Sequence, residues 1–285
     1  MTVSRLVLPG AAVRTTLAAT PSFDLEAVLS NIETMAAQQP IAAQLVSMAD
    51  SDDTDARTLA RTLASDVALA GRVMKLANSA YFGMRGRVTS LQIAVTVVGF
   101  PTVRTMATVA LTGLGDELRL PEGFWGMSSC VALGAATLAP RFGERPQDAL
   151  CLGLLAPLGV ALLHHSDPEG YTELSAAEPT AAGRRAAEAR RYGIHAHRLT
   201  AVALEQWGFP ASMVTPLGAV DDHGDQDGAL LRAALEIAAR LTVEDHVPVP
   251  VEELTGGQLR EDAVPPVLER VRAEADELRL AMLGE

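Results

Sequence analysis

Between Asp66 and Gly99 the chain reads DVALAGRVMKLANSAYFGMRGRVTSLQIAVTVVG. Val67, Leu69, Ala70, Val73, Met74 and Leu76 recur at the spacing of one helix face, which predicts an amphipathic helix. Asn78 and Ser79 follow, residue types whose short polar side chains bond nearby backbone at helix ends. Gly83 and Gly86 break the pattern. Thr89 and Ser90 are natural N-caps for a second helix carrying Leu91, Ile93, Ala94, Val97 and Val98.

The same alternation of apolar faces and capped turns covers the rest of the chain. Residues 1 to 21 read as an irregular leader ending at Pro21. Ser22 or Asp24 caps a helix with Leu25, Val28, Leu29 and Ile32, and Pro40 opens another with Ile41, Leu45, Val46 and Met48 on one face. The acidic turn 50–55 caps a helix from Ala56 to Ala64. Thr102 to Leu114 is helical, ended by Gly113 and Gly115. Further helices are expected over Phe124–Ala139, Pro146–His165, Ala181–Tyr192, His195–Trp207, Ala211–Val220, Ala229–Val243 and Val264–Met282, with loops at Asp221–Gly228 and Pro248–Gly257. No strand pair with a credible hairpin turn is visible, so the fold class is all-α.

Composition supports that class. Of 285 residues 48% are hydrophobic but only 4% aromatic, so Ala and Leu carry the core. The net charge of −12 argues against a general nucleic-acid or acidic-membrane binder. Lys75 is the only lysine, which points to genomic bias before recognition chemistry. Cys130 and Cys151 lie in apolar surroundings without CxxC spacing, as buried thiols in a reducing cytoplasm would. No signal peptide is visible, and no stretch approaches the roughly 18–20 apolar residues of a membrane span.

A helix ending LANSAYFG, a short basic loop, a helix beginning TSL and a following VGF together resemble the core of the HDOD domain, a bacterial signalling module related to HD and HD-GYP phosphohydrolases. The resemblance runs over roughly residues 35–245. It implies a compact multi-helix bundle, residues 22–245, in two helical halves of about 22–115 and 121–245, followed by a loop and an amphipathic C-terminal helix over 246–285. Its structural motif residues here are Asn78, Ser79, Phe82, Gly99 and Trp207.

The resemblance also locates where a metal site would stand, and the ligands are missing. Phosphoester hydrolysis in the HD superfamily uses metals held by histidines and aspartates, which activate water. At the positions of the His-Asp doublet stand Ala156 and Pro157. Counting back from Trp207, the next ligand histidine falls on Ala196, flanked by His195 and His197. A one-residue slip turns a helical side chain by about 100°, so neither flank is a safe substitute. The later histidine pair falls near Val220 and Asp221. Catalytic residues, metal ligands and cofactors are therefore all expected to be absent.

Other clusters have plainer readings. His164 and His165 end a helix, where they suit its dipole; a cryptic site from His164, His165, His195 and His197 is the minor alternative. Asp221, His223, Asp225 and Asp227 fit no EF-hand register and read as a solvated acidic loop. Arg85, Arg87 and Arg104 are either solvated or a small anion-friendly spot for a ligand or partner. Tyr81, Phe23, Phe82, Phe100, Trp125 and Trp207 read as core.

The resulting expectation is a cytoplasmic, non-enzymatic regulator of bacterial signal transduction that acts as a protein-interaction scaffold. Its partner would be another signalling protein, with no nucleic acid and no membrane. Nucleotide sensing is the alternative, and a degenerate metal-dependent phosphohydrolase the remoter one. The apolar face of Val264–Met282 serves either its own domain or a docking contact, which leaves a homodimer open.

Overall fold

Side-chain caps start six of the fifteen described α-helices. The computed structural model describes residues 39–49, 51, 53–111 and 120–283. The leader 1–21, the helix through Leu25 and Ile32, Phe23, Gly113 and Gly115 lie outside the described residues. Helix α1 is Pro40–Ala49, α2 Ala56–Leu63 and α3 Val67–Ala77; a 3-10 turn follows at Ala80–Phe82, then α4 Leu91–Val98 and α5 Phe100–Leu111. Asp55, Asp66 and Ser90 accept the backbone N–H three residues on and so cap α2, α3 and α4.

The second half holds α6 Phe124–Leu138, α7 Pro146–Leu155, α8 Leu158–Ser166, α9 Pro168–Ala177, α10 Ala181–Tyr192, α11 Ala196–Gln206 and α12 Ala211–Ala219. It continues with α13 Ala229–Thr242, the one-turn α14 Val251–Leu254 and α15 Val264–Leu283. Among the described residues there is no strand, and the class is all-α.

Helix α6 is the axis. Apart from Gly126, Met127 and Thr137, its residues are buried, and α7, α13 and α15 pack around it. Small residues allow the close approach. A Cβ on Gly153 of α7 would fall 2.5 Å from the Ala132 Cα of α6. A core built of alanine, glycine and leucine in this way needs few aromatics. Cys130 on α6 and Cys151 on α7 are free and buried, and burial pushes both thiols up to about 11.

The structure differs from the sequence expectation in four places. Pro146–His165 is two helices, because the chain turns at Ala156–Pro157 and Pro157 supplies no amide to continue the ladder. The segment 146–166 is nonetheless long and apolar enough to cross a membrane by length and composition. That corrects the expectation that no stretch approaches such a length; 78% of its most apolar stretch is buried inside the protein. Helix α9 was not foreseen: Asp167 caps it, and Pro168 occupies its first position. Finally, the loop expected at 248–257 contains α14.

The C-terminal helix uses its apolar face at home. Val264, Val267, Val271, Leu278 and Met282 are buried, and α15 packs on α6 and α3. Its Glu277 accepts the Ala80 N–H at 2.9 Å. The apolar face of this helix is therefore packed within the chain's own core.

Candidate functional site

The site begins where α8 meets α11. Gly159 has no room for a side chain, since a Cβ there would collide with the Ala196 carbonyl, and the two helices touch backbone to backbone. Thr200 rivets the contact: its hydroxyl accepts the Gly159 N–H at 2.8 Å and reaches the carbonyls of Ala156 at 3.2 Å and Ala196 at 3.1 Å. Ala156 and Pro157, at the doublet positions, are buried beside it and offer no ligand atom.

Ala196 opens α11, and its N–H is accepted by the buried Glu188 of α10 at 2.8 Å, while Tyr171 donates to the same carboxylate at 2.7 Å. The flanking histidines do not behave as a helical pair. His195 is the N-cap, with extended backbone (φ −96°, ψ 161°), so the rotation of about 200° between two helical positions two residues apart does not separate it from His197. Both imidazoles therefore face Asp221, which follows α12. His195 Nδ1 lies 3.1 Å from Asp221 Oδ2 and His197 Nδ1 3.6 Å from Oδ1. Arg185 of α10 donates to Asp221 Oδ1.

The electrostatics follow from this packing. Burial pushes the Asp221 carboxyl up, but His197 and Arg185 outweigh it and hold it down at about 2. Burial also lowers His195 below the ordinary imidazole value, against the pull of Asp221. His195 Nδ1 accepts the Arg198 N–H at 3.4 Å, the N-cap bond of α11. The ring nitrogens of His195 and His197 and a carboxylate oxygen of Asp221 lie within 4.8 Å of one another. Two imidazoles and one carboxylate are a donor set that suits a divalent transition metal.

The cryptic histidine cluster therefore forms only in part. His195 and His197 meet, but half-buried His164 sits edge-on to Tyr171 with ring centroids 6.3 Å apart, and His165 is exposed. The acidic loop after Asp221 is organised by an arginine from below. Buried Arg232 of α13 donates to the carbonyls of Ala219, Asp222, Asp225 and Leu254, at 2.6–3.1 Å. Nothing local in the sequence marks Arg232 or Arg185 for these roles. The His-x-His flanking Ala196 was the one visible signal of the cluster.

The three arginines expected as one anion spot do not share a surface. Arg104 is buried, donates to the Trp207 carbonyl at 3.2 Å and stacks over the Phe209 ring at 3.8 Å. Arg85 is exposed beside Glu277 of α15 at 3.8 Å, and Arg87 is exposed. Arg104 is excluded from solvent because it closes the C-terminal end of α11, where Trp207 is the cap.

The motif residues hold the first half together. Asn78 caps α3; its Nδ2 donates to the carbonyls of Met74 (3.1 Å) and Val88 (3.0 Å), and its Oδ1 accepts the Val88 N–H at 3.0 Å. Ser79 is buried next to it, and Phe82 packs edge-on to Tyr81. At Gly99, φ +79° is a conformation that favours glycine, and α4 and α5 bend by 102° there.

Comparison with known proteins gives one family. The HDOD domain model matches residues 35–222. No curated protein is significantly similar. Among solved structures, a provisionally named phosphohydrolase from Shewanella amazonensis is 23% identical with a TM-score of 0.67, over 90% of this chain and 98% of that one. A provisionally named signal transduction protein from Marinobacter aquaeolei is 19% identical, TM-score 0.65, over 92% and 67%. An HDOD domain protein of unknown function from Geobacter sulfurreducens is 18% identical, TM-score 0.59, over 91% and 98%. At these identities the likeness is one of fold.

Proposed function

The chain belongs to the HDOD family, and from that premise we propose that it is a non-enzymatic regulator of bacterial signal transduction, a cytoplasmic scaffold that binds another signalling protein. One observation carries the proposal. The positions of the catalytic doublet hold buried Ala156 and Pro157, and the helix that follows is packed backbone to backbone on α11 through Gly159. Water activation by a metal needs ligands and an open coordination position there, and this contact supplies neither. A fold with its reacting groups replaced by packing retains its surface as its means of action.

Nucleotide sensing loses its support, because Arg104 lies inside the protein, away from Arg85 and Arg87 at the surface. The test is quantitative affinity purification of the tagged full chain from its bacterial host, against an unrelated tagged helical protein. A signalling protein enriched in near-stoichiometric amount is expected. Recovery of no specific partner across growth conditions contradicts the scaffold role.

A further inference from the structure

We propose that His195, His197 and Asp221 bind one divalent transition-metal ion, and that this ion ties the start of α11 to the end of α12. The inference goes beyond the scaffold role: the ion is a structural clamp, outside the doublet position held by Ala156 and Pro157. Its two histidine ligands stand one residue to either side of Ala196, the position where the family would place a histidine.

Three observations carry it. The first is spacing. A tetrahedral ion with bonds of about 2.1 Å separates its ligand atoms by about 3.4 Å. His195 Nδ1 lies 3.1 Å from Asp221 Oδ2, and one ligand atom from each of the three residues lies within 4.8 Å of the others. The second is unmet bonding. His197 Nδ1 and Asp221 Oδ2 are buried away from solvent and have no hydrogen-bond partner, although their residues stand together. Buried polar atoms of this kind demand an occupant. His195 Nδ1 and Asp221 Oδ2 face each other at 3.1 Å, and a cation between them bonds both, at the cost of the long Arg198 cap bond.

The third is preorganisation. Arg185 holds Oδ1 and so orients the carboxylate with Oδ2 toward the imidazoles, as an outer-shell group does in a metal site. Its positive charge opposes the ion, and the buried Glu188 carboxylate, which acts on His195, offsets it. Arg232 fixes the carbonyls of Ala219 and Asp222 on either side of Asp221. The ligands are thus placed by groups that do not themselves bind the ion.

The experiment is a Co2+ titration of the full chain after EDTA treatment, followed by visible absorption, with Zn2+ as competitor. One Co2+ per chain is expected, displaced by Zn2+, and Zn2+ should raise the melting temperature. His197→Ala and Asp221→Asn should each weaken Co2+ binding at least about tenfold, while His223→Ala, in the exposed neighbouring loop, leaves it unchanged. Absence of saturable binding, or binding that both variants retain, overturns the proposal. Should the variants fail to fold by circular dichroism, the wild-type chain decides. Co2+ must then shift the imidazole proton resonances of His195 and His197 and not those of His164, His165 or His246; the opposite pattern refutes the site. A bound ion without turnover leaves the scaffold reading intact, whereas turnover overturns that reading and not the site.

Discussion

Asn78 does with one side chain what a helix end otherwise needs water to do. It closes α3 and pins the Val88 segment ten residues on, through three hydrogen bonds. Replacing it by alanine removes all three and strands the Val88 amide and carbonyl at the edge of the core. Asn78→Ala is expected to cost about 1–3 kcal/mol by urea denaturation; unchanged stability would make Asn78 a surface residue. Arg232 carries more, because its guanidinium meets four carbonyls that Lys cannot reach in fork geometry. Arg232→Lys should therefore destabilise by about 2 kcal/mol or more, and it should weaken Co2+ binding through the displaced Asp221. Asn78 was legible in the sequence because its partners are near in the chain. Asp221 was read as loop acid and Arg104 as a surface contact because their partners, Arg185 and Trp207, are 36 and 103 residues distant.

Helices were legible wherever a cap and an apolar face coincided, as at Asp55, Asp66 and Ser90. They were less so where proline did two jobs. Pro157 ends a run that otherwise reads as one helix, and Pro168 starts one that its weak apolar face conceals. The α8–α11 contact rests on Gly159, so Gly159→Ala should push the helices apart and lower stability by roughly 1–3 kcal/mol, measured by thermal unfolding. The α9 cap has a pH signature. Asp167 accepts the Gly170 N–H and two Arg191 bonds. Burial pushes its carboxyl up, but Arg191 and Gly170 outweigh it and hold it below the ordinary range. A carboxyl lowered on folding stabilises above its unfolded value near 3.9 and loses that contribution as pH falls through its folded value. Asp167→Asn should thus lower the melting temperature at neutral pH and converge with wild type in strong acid; parallel curves across pH would exclude the assignment.

The whole molecule is organised by α6, with α15 closing over it from the far end of the chain. Its buried side chains, at about 1.5–3 kcal/mol each, amount to as much as a typical domain's net stability. A chain ending at residue 263 should show no cooperative melting, and one that melts like wild type would make α15 an appendage. The family match ends at residue 222, yet α13 and α15 are as much part of the core as the helices before it. At this scale the all-α class and the HDOD family were legible from local motifs. The metal-ligand geometry was not, because it needs the N-cap conformation of His195 and the return of α12. The central claim is that this fold signals without hydrolysing phosphoesters. The most direct test is single-turnover incubation of cyclic di-GMP with excess full-length chain loaded with Mn2+ or Fe2+, the products resolved by chromatography. Intact cyclic dinucleotide is the predicted result, and linear or mononucleotide product above the protein-free blank would contradict the account.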